Sequence, residues 1–188
     1  MKRIPVFFAT TEGQTRRIAE TIASVLREQG FQSEAVSISD ADVPYDWSTA
    51  VNAVVGASLH AGRHQACADK FVRREAQYLN ARPAAFFSVS LSAGSRNPSE
   101  VAAAGDIASR FLQATGWQPQ RVACFPGKLA YTQYGFLKRW IMRRIAEREG
   151  GPTDTGRDHD LTDWAAVREF ALNVAADTWR GLQNRAAS

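Results

Sequence analysis

Thr10, Thr11, Glu12, Gly13, Gln14 and Thr15 lie inside "FFATTEGQTRRIA", where an apolar run stops and a helical pattern begins. Hydroxyls and a glycine at the start of a helix suit an anion. Backbone N–H groups and the helix dipole supply a positive field there, and Gly13 allows close backbone approach. No lysine sits in the loop. A nucleoside-triphosphate loop reads G-x-x-x-x-G-K-[ST] and a dinucleotide loop G-x-G-x-x-G, and the single glycine here fits neither. What remains is a terminal phosphomonoester held by neutral hydroxyl and amide donors. Two more stretches follow apolar runs in the same way: Ser58, Leu59, His60, Ala61 and Gly62, then Ser88, Val89, Ser90, Leu91, Ser92, Ala93 and Gly94. Cys67, Cys124, His60, His64 and His159 form no metal-ligand spacing, so no metal is expected. His60 and His64 read as loop polarity, with proton shuttling as the alternative. No side chain stands out as an obligatory general base.

These stretches need elements to bring them together. Apolar runs predict strands at 3–9, 32–38, 50–58, 83–91 and 120–125. Helical patterns run from Gln14 to a stop at Gly30, over 63–79, and from a cap at Asn97 to Gly116. Pro98 opens the third helix and Glu100 completes a capping box. A last helix begins near Thr162. Strands alternating with helices predict an α/β fold, a flavodoxin-like doubly wound parallel sheet of five strands in the order 2-1-3-4-5. Ligands of such sheets lie beyond the carboxyl ends of the strands, where 10–15, 58–62 and 88–94 meet. FMN is held in this way in flavodoxin-like folds. About 35 residues separate the fifth strand from the last helix, more than a connection requires. The segment 127–160 is therefore a helical insertion with a task of its own, within a single domain spanning 1–188.

Composition bounds the rest. Hydrophobic residues are 45% and charged residues 22% of the 188, which is ordinary for a globular domain. The basic start and short apolar run read as a first strand, not a signal peptide. No run reaches membrane-spanning length. Two distant cysteines without a Cys-x-x-Cys pair read as reduced cytosolic thiols. A net charge of +4 favours anionic partners. Nucleic acid is not among those expected, since it would explain the charge and leave the loop idle.

The chain resembles the flavodoxin-like, menaquinone-dependent protoporphyrinogen oxidases (protoporphyrinogen IX dehydrogenases) of bacterial haem synthesis. The resemblance rests on "TTEGQTRRIA", "VVGASLHAGRH", "AFFSVSL" and, in the insertion, "GKLAYTQYGFLKRWIMRRI", "GGPTDT" and "TDW". It implies an enzyme with noncovalent FMN that takes hydrogens stepwise from protoporphyrinogen IX and passes electrons to menaquinone or another membrane quinone. It implies that Thr10 to Thr15 hold the phosphate, that 58–64 and 88–94 flank the isoalloxazine, and that the chain is cytoplasmic and peripheral to the inner membrane. Oligomeric state stays open, a homo-oligomer included. A flavodoxin-type electron carrier and an NAD(P)H:quinone reductase are the rival readings. The basic charge and the insertion speak against the carrier.

Flavodoxins tend to sandwich the ring between aromatics of the two flanking loops, and here those loops hold no Trp, Tyr or Phe. Either one flavin face is open to a flat substrate, or Tyr131, Tyr134, Phe136 and Trp140 of the insertion cover it. Otherwise these aromatics anchor the insertion. Residues 136–148 form a basic amphipathic helix, with Leu137, Trp140, Ile141 and Ile145 in one stripe and Lys138, Arg139, Arg143, Arg144 and Arg148 around it. Such a helix reads as a membrane-surface element or as one packed on the domain with a solvated basic face. Lys128, Tyr131, Arg139, Trp140 and Arg143 are candidate contacts to the porphyrinogen. Gly150 and Gly151 stop the helix and Thr162 caps the next. Asp154 and Asp163 read as turn and cap residues before they read as an acid–base pair.

Overall fold

Pro5 sets where the first strand begins. In the computed structural model, which describes residues 2–39, 45–148 and 151–187, β1 (Val6–Ala9) starts after this proline, which has no N–H to give a ladder. The expected strand at 3–9 is shortened accordingly, and Arg3 keeps only isolated bridges to Gln32 and Ala50. The other strands are β2 (Ala35–Ser37), β3 (Ala53–His60), β4 (Arg63–His64), β5 (Ala84–Ser90) and β6 (Arg121–Pro126), with β7 (Lys128–Leu129) and β8 (His159–Asp160) in the insertion. The helices are α1 (Gln14–Glu28), α2 (Ala66–Asn80), α3 (Pro98–Thr115), α4 (Phe136–Arg148) and α5 (Trp164–Ala187).

The main sheet runs β2-β1-β3-β5-β6, all parallel, which is the predicted order of the long strands. Alternate residues feed opposite faces, as the strand period of two requires. Val6, Phe8 and Val54 pack under α1 and α5 with Ile18, Ile22 and Val174. Phe7, Val55 and Phe86 pack under α2 and α3 with Phe71, Leu79 and Phe111. Burying each such side chain contributes about 1.5–3 kcal/mol. At Gly56 the Phe87 ring lies across the strand, so a Cβ there would fall 1.9 Å from a ring carbon. The registers bring Ala9 beside Ala57, Ser58 beside Val89 and Ser90 beside Pro126, so three loops leave one edge together.

Three local expectations change. The helix expected from residue 63 starts at Ala66, because the chain first turns back at Ala61 and Gly62 and pairs β4 with the end of β3. Both turn residues have positive φ, 48° and 76°, the pattern of a primed two-residue hairpin. Asn97 caps α3 by accepting from Ser99 N–H at 3.0 Å, but its own N–H goes to Ser95 Oγ, which displaces Glu100 from the capping box. Asp163, not Thr162, caps α5 by accepting from Ala166 N–H at 2.9 Å.

The segment 127–160 closes on itself. β7 pairs antiparallel with β8, and Leu129, Ala130, Tyr131, Tyr134 and Ala146 form a small separate core. Leu137 and Trp140 face outward, 68% and 55% exposed, while Ala146 is buried and Met142 packs partly beneath α4. The described part of the expected apolar stripe, Leu137 and Trp140, is therefore on the outer face. Gly150 and the side chains of Lys138, Ile141, Ile145 and Arg148 lie outside the described residues.

Candidate functional site

The loop after β1 is shaped by one backbone conformation. Gly13 sits at the mouth of α1 with φ 84°, in the left-handed region where a Cβ is penalised. Its N–H donates to Thr10 Oγ1 at 2.9 Å, which leaves the Thr10 hydroxyl proton free to donate outward. Thr15, on the first turn of α1, is 1% exposed, and its Oγ1 has no hydrogen-bond partner among the described residues. A buried hydroxyl without a partner costs about 1–3 kcal/mol. The arrangement therefore fits an anion at the helix N-terminus, with hydroxyl and amide donors in place of a side-chain cation.

Thr10, Thr11, Glu12, Gln14 and Thr15 line a cleft of about 280 Å³. Its far wall is Ser58, Leu59, His60, Ala61 and Gly62, and Val89, Ser90, Leu91 and Ser92 close the side. Thus most of the residues chosen from the sequence meet in one place. Gly13, Ser88, Ala93 and Gly94 do not line it. Ser88 is buried on β5, where its hydroxyl lies 2.9 Å from His64 Nε2. Ala93 N–H donates to Ser90 Oγ, and a Cβ on Gly94 would fall 2.9 Å from Pro126 Cβ.

Sequence reading missed Gln65. Its carboxamide is oriented by its neighbours, donating to Ala9 O at 3.0 Å and accepting from Thr11 N–H at 3.1 Å and Ser58 Oγ at 2.9 Å. It ties the first loop to the second. The available signal was its place just ahead of α2, in extended backbone at φ −62°, ψ 143°.

The insertion supplies the roof. Tyr134 and Met142 line the cleft beside Gly127 and Lys128. Tyr134 OH accepts from Ala130 N–H at 3.3 Å and donates to Glu12 Oε2 at 3.0 Å. Burial, with the Glu12 charge beside it, holds this phenol well above its ordinary range, so it stays a donor. Gln14 Nε2 donates to Asp160 Oδ1 at 2.8 Å and Thr162 Oγ1 at 2.7 Å, and Arg17 pairs with Asp160 at 3.1 Å. The roof and the anion loop are thus one hydrogen-bonded unit.

The remaining candidates divide by accessibility. Tyr131 is fully buried and donates to Pro152 O at 2.9 Å, so it anchors the insertion and does not reach a substrate. Arg139 donates to Tyr131 O and Tyr134 O at 2.9 and 3.0 Å, so its guanidinium holds the roof in shape. Lys128 reaches the cleft but pairs with Asp158 at 2.7 Å, and that pairing draws the Asp158 carboxyl down to about 2. Trp140 and Arg143 are exposed on α4. Asp154 accepts from Gly156 N–H and Asp163 caps α5, so these two carboxylates are turn and cap residues. His64 packs against Phe86 and Phe111, and burial pushes its imidazole down to about 4. It is neutral near pH 7.

The chain matches the family model of the flavodoxin domain over residues 5–156. It is 35% identical over 171 residues to the protoporphyrinogen IX dehydrogenase [quinone] of Escherichia coli K12, covering 90% of this chain and 93% of that protein. It is also 35% identical over 173 residues to the protein of the same name from Leishmania major, covering 91% of this chain and 74% of that one. Among solved structures, oxidised flavodoxin 1 from Bacillus cereus superposes with a TM-score of 0.56 at 19% identity, covering 93% of this chain and 98% of that one. An archaeal flavodoxin does so at 0.54 and 16%, covering 94% and 98%. At these identities the two structures establish a shared fold.

Proposed function

The chain belongs to the flavodoxin-domain family and, within it, to the quinone-linked protoporphyrinogen IX dehydrogenases; on that premise we propose that it binds FMN noncovalently and oxidises protoporphyrinogen IX to protoporphyrin IX. Quinone, menaquinone included, takes the hydrogens away as quinol, which places the reaction in haem biosynthesis. Bound FMN supplies a ring that accepts a hydride or its equivalent and passes electrons on. The chain's own residues bind, orient and shield. The hydroxyls of Thr10, Thr11 and Thr15, with the N–H groups opening α1, hold the phosphomonoester. Residues 58–62 and 89–92 flank the ring, and Gln65 keeps the first two loops in register. Tyr134 and Met142, brought in by the insertion 127–160, keep water from one side of the cleft. Of the candidate porphyrinogen contacts, Arg143 and Trp140 are exposed on α4 and Lys128 reaches the cleft while paired with Asp158.

The outer face of α4 extends this reading. Phe136, Leu137 and Trp140 are exposed beside Arg143 and Arg144. Aromatic and aliphatic side chains flanked by arginines suit an anionic lipid surface, where a lipid-soluble quinone is found. The protein is then peripheral on the cytoplasmic face of the membrane. No described helix is long and apolar enough to cross one.

The observation that carries the proposal is the closure of the insertion onto the anion loop through Glu12, Gln14 and Arg17. It makes the insertion a wall of the cofactor site, which a simple electron carrier does not require. The test is anaerobic. Purified protein should be yellow, release FMN on denaturation, and convert protoporphyrinogen to fluorescent porphyrin faster when a menaquinone analogue is added. Flavin binding without that rate gain would turn the reading to a carrier or a nicotinamide-fed reductase.

A further inference from the structure

A second cavity, of about 560 Å³, opens on the other side of residues 91–96. Leu91, Ser92 and Met142 line both this cavity and the cleft, so the two adjoin. Its walls come from α3 on one side and the insertion on the other, chiefly through Ala104, Ile107, Leu129, Ala146 and Leu161. Among the described residues its lining includes one cation and one carboxylate, Arg96 and Glu100, which offset each other. The volume lies within the ordinary range for small-molecule sites, and the walls are mainly aliphatic, as such sites are.

We infer that this cavity takes the neutral quinone, while the dicarboxylate porphyrinogen meets the cleft from elsewhere. The inference rests on the function proposed above. A dianion entering a chamber whose described lining is mainly aliphatic, with Arg96 already offset by Glu100, would leave charge uncompensated, at a cost of several kcal/mol. An uncharged naphthoquinone loses little on desolvation there and gains from burial. The position matters as well. The shared wall of Leu91, Ser92 and Met142 sets the occupant next to the space between 58–62 and 89–92 without competing for it. Acceptor and donor then have separate entries, one through the mouth between α3 and the insertion and one at the cleft.

The test fills the chamber from its rim. Ala103 lines the cavity and its own side is exposed, so Ala103→Trp adds bulk without opening the core. Ile107→Trp is the second variant should the first fail to fold. In FMN-loaded protein, menadione binding measured by calorimetry should weaken tenfold or more, and the KM for menadione should rise similarly. FMN affinity, the KM for protoporphyrinogen and the rate with ferricyanide should stay within about twofold of the parent. Equal menadione affinity in parent and variants, or no binding by the parent, overturns the assignment. A rise in the porphyrinogen KM with menadione unaffected would give the cavity to the other substrate and overturn it too. If menadione binds in a variant-sensitive way yet accepts no electrons, the site stands and the quinone-linked function falls.

Discussion

Thr15 carries the sharpest consequence at the scale of single residues. Its hydroxyl is buried without a partner, while its methyl group packs at the start of α1. Replacement by valine keeps the shape and removes the stranded donor. Thr15→Val should therefore leave the apoprotein as stable as the parent or more stable by about 1 kcal/mol, since an unsatisfied buried hydroxyl is lost. The same change should weaken FMN roughly tenfold or more, because a hydrogen bond to a charged group is worth about 1.5–3 kcal/mol. Urea unfolding without flavin and fluorescence titration with FMN separate the two effects. Unchanged FMN affinity would mean that the hydroxyl does not meet the phosphate. A residue with only a structural role would move both quantities in the same direction. The type and spacing of 10–15 made this loop legible in the sequence. Gln65 was not, because a single amide ahead of a helix carries no pattern until Thr11 and Ser58 are seen on either side of it.

Among the elements, long ones were readable and short ones were not. The alternation of strands and helices follows from apolar runs and helical periods, which are properties of many residues at once, while the strand order comes with the flavodoxin-like resemblance. β4, β7 and β8 are pairs of residues and hold no period, so Arg63 and His64 read as the start of a helix and the β7–β8 clasp gives no signal. α4 shows a different limit. Its apolar stripe is real, but periodicity does not say which side meets the protein. Arg139, Met142 and Ala146, spaced three and four apart, form the inner side, where Arg139 grips two carbonyls and Ala146 lets Gly151 approach. Phe136, Leu137 and Trp140 are left outside. The triple variant Phe136→Ser, Leu137→Ser, Trp140→Ser should then keep its fold and FMN affinity. Its partition to vesicles containing anionic lipid should fall about tenfold or more, since each buried apolar side chain gives roughly 1.5 kcal/mol or more. Sedimentation with vesicles measures this. Added salt should weaken the parent's binding through its arginines, at about 1 kcal/mol per cation near the surface. Equal sedimentation of parent and variant would return α4 to the role of a solvated roof helix.

At the scale of the whole molecule, the cofactor loop and the insertion are joined by polar contacts between residues more than 120 apart in the chain: Tyr134 to Glu12, Gln14 to Asp160 and Thr162, and Arg17 to Asp160. No local pattern announces such contacts, which is why the sequence marked the insertion but not where it lands. They make two distant segments answer to one ligand. FMN at a hundredfold its Kd stabilises the native state by about 2.7 kcal/mol, which raises the Tm of a chain this size by roughly 5–10 °C. Asp160 is the joint, because it holds both Gln14 and Arg17. Asp160→Ala removes the Arg17 pair and one of the two contacts of Gln14, which keeps Thr162, and leaves the main sheet untouched. FMN affinity should then fall about tenfold, and the Tm gain at the same FMN concentration should shrink by roughly 3–5 °C, the equivalent of about 1.4 kcal/mol. The apoprotein of this variant should also be cut faster by protease between 135 and 158 than the parent, and FMN should protect it less. Thermal scans with and without FMN, followed by mapping of the first cleavage, distinguish this coupling from simple loss of stability, which would leave the FMN-induced gain intact. If the variant keeps both the full gain and the parental cleavage rate, the roof and the loop act independently, and the insertion's role in holding the flavin site would have to be given up.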